Sequence, residues 1–174
     1  MRIWVVVCVV ILIALTNGDG RTDTILNFHQ VKPWLYRGGR PRQGGIIKLK
    51  EMDIRVIINL ERELFEQEPR EVKKESDWAK KANIKLEHIP MDPICAPKRQ
   101  DVERALAIMT DPVNQPVFIH CDRGSDRTGI VIAAYRIRNE GWTVQQAYEE
   151  MKKYGARSII LFWWKNLLHK FEEV

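Results

Sequence analysis

His120-Cys121-Asp122-Arg123-Gly124-Ser125-Asp126-Arg127-Thr128-Gly129 is the stretch around which the rest of the chain is organised. Val117 to Ile119, just before it, is a short apolar run of the kind a buried strand shows, and Ile130 to Ile137, just after it, has apolar residues at helical spacing. Cys121 and Arg127 therefore fall on a strand-to-helix loop. The first amides of a helix lack partners within it, so such a loop favours an anion.

Each residue type in the loop suits phosphoryl transfer. The thiolate is the nucleophilic form of cysteine, and a helix N-terminus and a neighbouring cation both favour it. Cys121 has both at hand. Arg127 carries a planar fork of donors that can hold two equatorial phosphate oxygens at once. Gly124 permits backbone geometry that a side chain would obstruct. Thr128 is placed to give its hydroxyl to the sulfur when a phosphocysteine is hydrolysed. The remaining loop residues, Asp122, Arg123, Ser125 and Asp126, are expected around the bound phosphate.

With His-Cys, five residues, Arg, Thr and Gly in register, the stretch resembles the signature of the cysteine-dependent protein-tyrosine and dual-specificity phosphatases. The resemblance extends over roughly residues 28 to 156, through a Tyr-Arg followed by small residues and Pro at 36–41 and the Gly-Trp and Ala-Tyr-Glu-Glu-Met strings at 141–151. It implies a phosphomonoesterase with a phosphocysteine intermediate and no metal or other cofactor. A compact bacterial dual-specificity-like or phytase-like member is the nearest type.

Composition fits one domain after a leader. The 174 residues are 45% apolar and 29% charged, ordinary for a chain that buries a core. Met1-Arg2, the apolar run Ile3 to Leu15 and then Thr16-Asn17-Gly18 have the form of a secretory signal peptide, which places the phosphatase domain at 19–174 and the protein outside the cytoplasm, secreted or periplasmic. As a helix that run reaches about 20 Å against a hydrocarbon core of about 30 Å, so removal is expected and no stable membrane span remains. The net charge of +5 loses only Arg2 with the leader. Such a mild, interspersed excess favours anionic substrates and gives no footprint for nucleic acid.

Removal of the leader takes Cys8 and leaves Cys95 and Cys121. Two cysteines in an oxidising compartment commonly pair. A free Cys121 is the preferred reading, because oxidation would remove the nucleophile; a reversible bridge serving as an off switch is the alternative. The four histidines, His29, His88, His120 and His169, are scattered with no metal-ligand spacing. His120 is expected beneath the loop as an orienter of the cysteine.

The pattern predicts strands at 27–31, 34–36, 54–60 and 84–89, and helices at 46–52, 61–82, 129–139, 143–154 and 158–171, with a further helix running through Met109. Asp101 reads as its cap. The helix at 61–82 reads as solvated, with Val72, Trp78, Ala79 and Ala82 inward, and the last helix carries an apolar stripe of Ile160, Trp163, Trp164, Leu167, Leu168 and Phe171. Strands alternating with helices imply an α/β fold with a central, largely parallel sheet of four or five strands flanked by helices.

Expulsion of an alkoxide needs a proton donor. In the resembling families the acid is an aspartate on a loop after the strand preceding the catalytic one, and Asp92, before Pro93, stands there; otherwise it is a turn-forming residue. Asp126 and Asp101 are its rivals. Arg37, Arg40 or Arg42 is expected at the pocket rim. Substrates are phosphotyrosine or dual-specificity protein sites or small phosphoesters. An inositol polyphosphate is the rival substrate, which Arg40, Arg42, Lys98, Arg99 and Arg123 could serve, and a phosphate-binding module without turnover is the reading of another class.

Overall fold

The computed structural model describes residues 24–62 and 70–172. The leader, its cleavage site, residues 63–69 of the expected solvated helix, and the side chains of Ile160 and Trp163 lie outside the described residues. Strands β1 (His29–Lys32) and β2 (Leu35–Gly38) open the fold, followed by α1 (Gln43–Glu51), β3 (Val56–Asn59), α2 (Arg70–Lys81), β4 (Lys85–His88) and α3 (Arg99–Thr110). A 3-10 turn at Pro112–Asn114 leads into β5 (Val117–His120), then α4 (Asp126–Glu140), α5 (Val144–Lys153) and α6 (Ser158–His169).

The sheet runs β1-β2-β5-β3-β4, with only β1 antiparallel to its neighbour. β5 and β3 are buried at every position and lie inside; the partly exposed β1 and β4 form the edges. Continuous apolar strands are what a sheet covered on both faces requires.

Alternation along the strands sorts the side chains into two layers. Val117, Ile119, Val56 and Ile58 pack with residues of α3 to α6. Phe118 and Ile57 pack with Ile46 and Leu49 of α1 and Ala79 of α2. Full burial of one such side chain stabilises by about 1.5–3 kcal/mol. The same alternation puts His120 on the α1–α2 face, its ring stacked 5.6 Å from that of Phe118, and Cys121 back with the α3–α6 core.

Local signals explain the helix ends. Thr143 and Gln146 form a capping box at the start of α5, and Gly141, at φ 68°, ends α4 in the left-handed conformation. Two expectations are corrected. Asp101 lies in the first turn of α3, whose N-cap is Lys98, and makes no side-chain cap bond; the helix dipole is what favours an acid there. In α2, Ala79 is buried and Val72 and Trp78 are half-buried, as is Ala82 just past its end, but Glu75 of the supposed solvated face is 1% exposed. Trp164, Leu167, Leu168 and Phe171 of the C-terminal stripe are core residues. Among the described residues no helix is long and apolar enough to cross a membrane.

Candidate active site

The loop after β5 is shaped by its carbonyls. The oxygen of Asp122 accepts from the amide of Arg40 at 3.1 Å. The oxygen of Gly124 accepts from Nη2 of Arg37 at 2.8 Å and Nδ2 of Asn27 at 3.1 Å. In a trans peptide the C=O and the following N–H point in opposite directions. The amides of Arg123 and Ser125 are thereby turned away from these supports, toward the concave side of the loop. Gly124 is required twice over: its φ is +70°, and a Cβ there would lie 2.3 Å from the carbonyl carbon of Gly38.

A cavity of 200 Å³ is lined by Cys121, Asp122, Arg123, Ser125, Asp126 and Arg127 of this loop. Pro93 and Arg157 complete its wall. Cys121 is 2% exposed, and Nη1 of Arg127 reaches the carbonyl oxygens of Leu60 and Met91 at 3.5 Å each. These contacts tie the guanidinium to the ends of the sheet and leave its other donors for a ligand. Thr128 Oγ1 is fully buried and has no hydrogen-bond partner, the sulfur of Cys121 included. Both described cysteines are free, Cys95 exposed and Cys121 buried.

Arg37 is not at the rim. It is 1% exposed beneath the loop, with its guanidinium carbon 4.4 Å from the centroid of the Tyr154 ring. Burial pulls its guanidinium down to about 10, which leaves it charged at neutral pH. Asn27, itself at φ 51°, ties the loop to the end of α5 through a second bond to the Tyr154 carbonyl, at 3.0 Å. No motif marks Asn27 in the sequence.

On the opposite face of β5, His120 Nε2 lies 2.7 Å from Oε1 of Glu75, whose Oε2 accepts from Asn59 at 2.8 Å. With Glu75 as a carboxylate, Nε2 of His120 is the donor of this contact. His120 is thus buried beneath the loop, but its side-chain bond goes to α2. Its Nδ1 has no hydrogen-bond partner. Glu61, 3% exposed, takes the guanidinium of Arg40 in a paired contact that holds the arginine above its ordinary pKa. Arg40 does not line the cavity of Cys121 and Arg127; its guanidinium is already partnered by Glu61 and lies 3.7 Å from Asp122. Arg40 and Arg42, with Lys74 and Trp78, line a neighbouring groove of 720 Å³ that meets the loop at Asp122. Lys98 and Arg99 line neither cavity, and Arg99 pairs with Glu103 at 3.2 Å.

Of the three aspartates weighed as proton donors, Asp101 lies in α3 and lines neither cavity, and the other two are engaged. Asp92 follows β4 beside the cavity-lining Pro93, but its Oδ1 accepts from the amides of Ile94 and Cys95 at 2.9 Å each, an Asx-type turn. Those amides, with the charges of Arg62 and Arg127 adding, hold its carboxyl below the usual carboxylate range. Asp126 is 8% exposed, and both of its oxygens are taken by Arg157, Oδ1 by the backbone amide and Oδ2 by Nε, at 2.8 Å each. It lines the cavity with its side chain committed elsewhere.

Comparison with known proteins agrees with this geometry. The chain is 31% identical over 141 residues to the inositol diphosphatase DSP3 of Arabidopsis thaliana, covering 79% of this chain and 66% of that one. It is 25% identical over 137 residues to the dual specificity protein phosphatase TpbA of Pseudomonas aeruginosa, covering 76% and 56%. The core catalytic domain of the PP-IP phosphatase SIW14 from Saccharomyces cerevisiae, solved with citrate, is similar at a TM-score of 0.69 and 27% identity over 83% of this chain and 85% of that one. The chain spans about half to two thirds of the length of the curated relatives it matches. Residues 24–172 match the sequence model of the tyrosine phosphatase family. The loop at 120–129 and the sheet that carries it, together with that match, establish that the chain belongs to the tyrosine phosphatase family.

Proposed function

We propose that this chain hydrolyses phosphomonoesters through a phosphocysteine at Cys121. The observation that carries the reading is the shared cavity of Cys121 and Arg127, bounded by a loop whose carbonyls are fastened on its outer side. Sγ attacks phosphorus, the bond to the leaving oxygen breaks, and Asp92 supplies that oxygen with a proton. Water then attacks the phosphocysteine, and Thr128 donates to the departing sulfur. The loop amides and Arg127 hold the equatorial oxygens throughout. Asp92 must first leave the amides of Ile94 and Cys95, so the donor acts from a rearranged loop.

The substrate class follows the family, protein phosphotyrosine or dual-specificity sites and small phosphoesters. Relatives that are inositol diphosphatases support a second reading, hydrolysis of a phosphorylated inositol. Against it, Arg40 is partnered by Glu61, and Asp122 and Asp126 offset the cations of the loop. Phosphate release from a phosphotyrosine peptide, a phosphoserine peptide and inositol hexakisphosphate separates these readings. Binding without release from any of them would mark a phosphate-binding module instead. The apolar leader supports export and removal of residues 1–18, which N-terminal sequencing of the mature protein tests.

A further inference from the structure

Asp126 stands next to Arg127 in the catalytic loop, and its carboxylate is spent on a residue from another part of the chain. Arg157, in the connection between α5 and α6, gives its backbone amide and Nε to the two oxygens of Asp126 at 2.8 Å each. Its Nη2 donates to the carbonyl oxygen of Pro93 at 3.0 Å. One residue further on, the carbonyl of Ile94 accepts from Nε1 of Trp164 in α6 at 3.3 Å. The segment that carries Asp92 is therefore fastened at two successive carbonyls, and one of the two fasteners is itself held by the catalytic loop.

We propose that Asp126 and Arg157 form a latch that sets the position of the Asp92 loop over the phosphate cavity, so that Asp126 is a positioning residue and not a proton donor. Three observations carry this. Both oxygens of Asp126 accept from Arg157 at 2.8 Å, whereas Oδ2 of Asp92 has only the looser 3.4 Å contact with Arg62, so Asp126 is the more firmly committed of the two. The Asp126 end of the pair is buried and takes a backbone amide together with the charged Nε, although the Arg157 side chain is itself half exposed. Arg157 also lines the cavity with Pro93, so the latch borders the space that Cys121 and Arg127 share. A lysine at 157 has one nitrogen and cannot reproduce the fork that serves Asp126 and Pro93 together.

The inference rests on the reading of Asp92 as the donor, and the test separates the two. Turnover of an aryl phosphate with a good leaving group and of an alkyl phosphate is measured for the full chain and for Asp92→Asn, Asp126→Asn, Arg157→Ala, Arg157→Lys and the double variant. General acids are worth about a hundredfold or more. Asp126→Asn and Arg157→Ala are expected to lower kcat for the alkyl substrate about tenfold more than kcat for the aryl substrate, and to show no further alkyl-specific loss when combined. Arg157→Lys should recover little of the loss. Hydrogen exchange at the amides of Ile94 and Cys95 should quicken in Arg157→Ala, a readout independent of activity. Equal losses on both substrates, or an alkyl-specific loss in Asp126→Asn with none in Arg157→Ala, would overturn the latch. If Asp92→Asn discriminates between the substrates and the latch variants do not, the latch alone falls. If Asp92→Asn does not discriminate, the donor reading falls and takes the latch with it.

Discussion

Nη2 of Arg37 donates to the carbonyl oxygen of Gly124 across 2.8 Å, from a strand 87 residues earlier in the chain. The bond fixes one peptide plane of the phosphate loop. Arg37→Met keeps the bulk of the side chain and removes the donor, leaving Asn27 to hold that carbonyl. A hydrogen bond from a charged group is worth about 2 kcal/mol. Inhibition by inorganic phosphate should therefore weaken about thirtyfold, which a competition assay against an aryl phosphate measures.

Gly124→Ala tests the loop more severely. A methyl group would collide with the backbone of Gly38, and the positive φ adds strain. The backbone of the loop must move, so kcat/KM should fall about a hundredfold or more, while the far-ultraviolet dichroism of the helices and sheet stays unchanged. Full activity in this variant would show that the loop is not the binding element.

Glu75 is the middle of a buried chain that links Asn59 to His120 in the strand preceding Cys121. Its replacement by alanine leaves Nε2 of His120 and Nδ2 of Asn59 without their acceptor in a dry environment. Each orphaned group costs about 1–3 kcal/mol. Denaturant unfolding of Glu75→Ala should show a loss on the order of 3 kcal/mol. Glu75→Gln, which keeps one acceptor oxygen, should lose less.

The Asp92 carboxyl is held low first by the amides of Cys95 and Ile94 and then by the nearby arginines. A depressed carboxylate stabilises the fold above its unfolded pKa of about 3.9, and that contribution disappears as pH falls through the folded value. Catalysis runs the other way, because a donor must be protonated. The ratio of alkyl to aryl phosphate kcat/KM should rise as pH is lowered from about 7 to about 5 in the wild type and stay flat in Asp92→Asn. A flat ratio in both would remove Asp92 from the reaction.

Much of this was legible in the chain, for identifiable reasons. Val117 to Ile119 and Val56 to Ile58 are apolar without interruption, so their central place in a parallel sheet follows from composition. The spacing from Cys121 to Arg127 identifies the phosphate loop, and Thr143 with Gln146 marks a helix start. What escaped are residues whose meaning is set by distant partners. Arg37 looks like a rim cation beside two glycines, and only the pairing of β2 with β5 puts it under the loop. Glu75 looks like one more charge on a polar helix, although the strand alternation that sends His120 to that face was a usable signal. Arg157 has no motif at all, and its contact with Asp126 needs α5 to bring the chain back across the cavity.

The central claim is that the sulfur of Cys121 takes the phosphoryl group from substrate. Quenching the enzyme in acid during turnover of an aryl phosphate and mapping the digest by mass spectrometry tests it most directly. The account predicts one phosphoryl group on the peptide that contains Cys121, absent from Cys121→Ala, which should release no phosphate. Turnover that persists in Cys121→Ala, or a phosphoryl group found on any other residue, would contradict it.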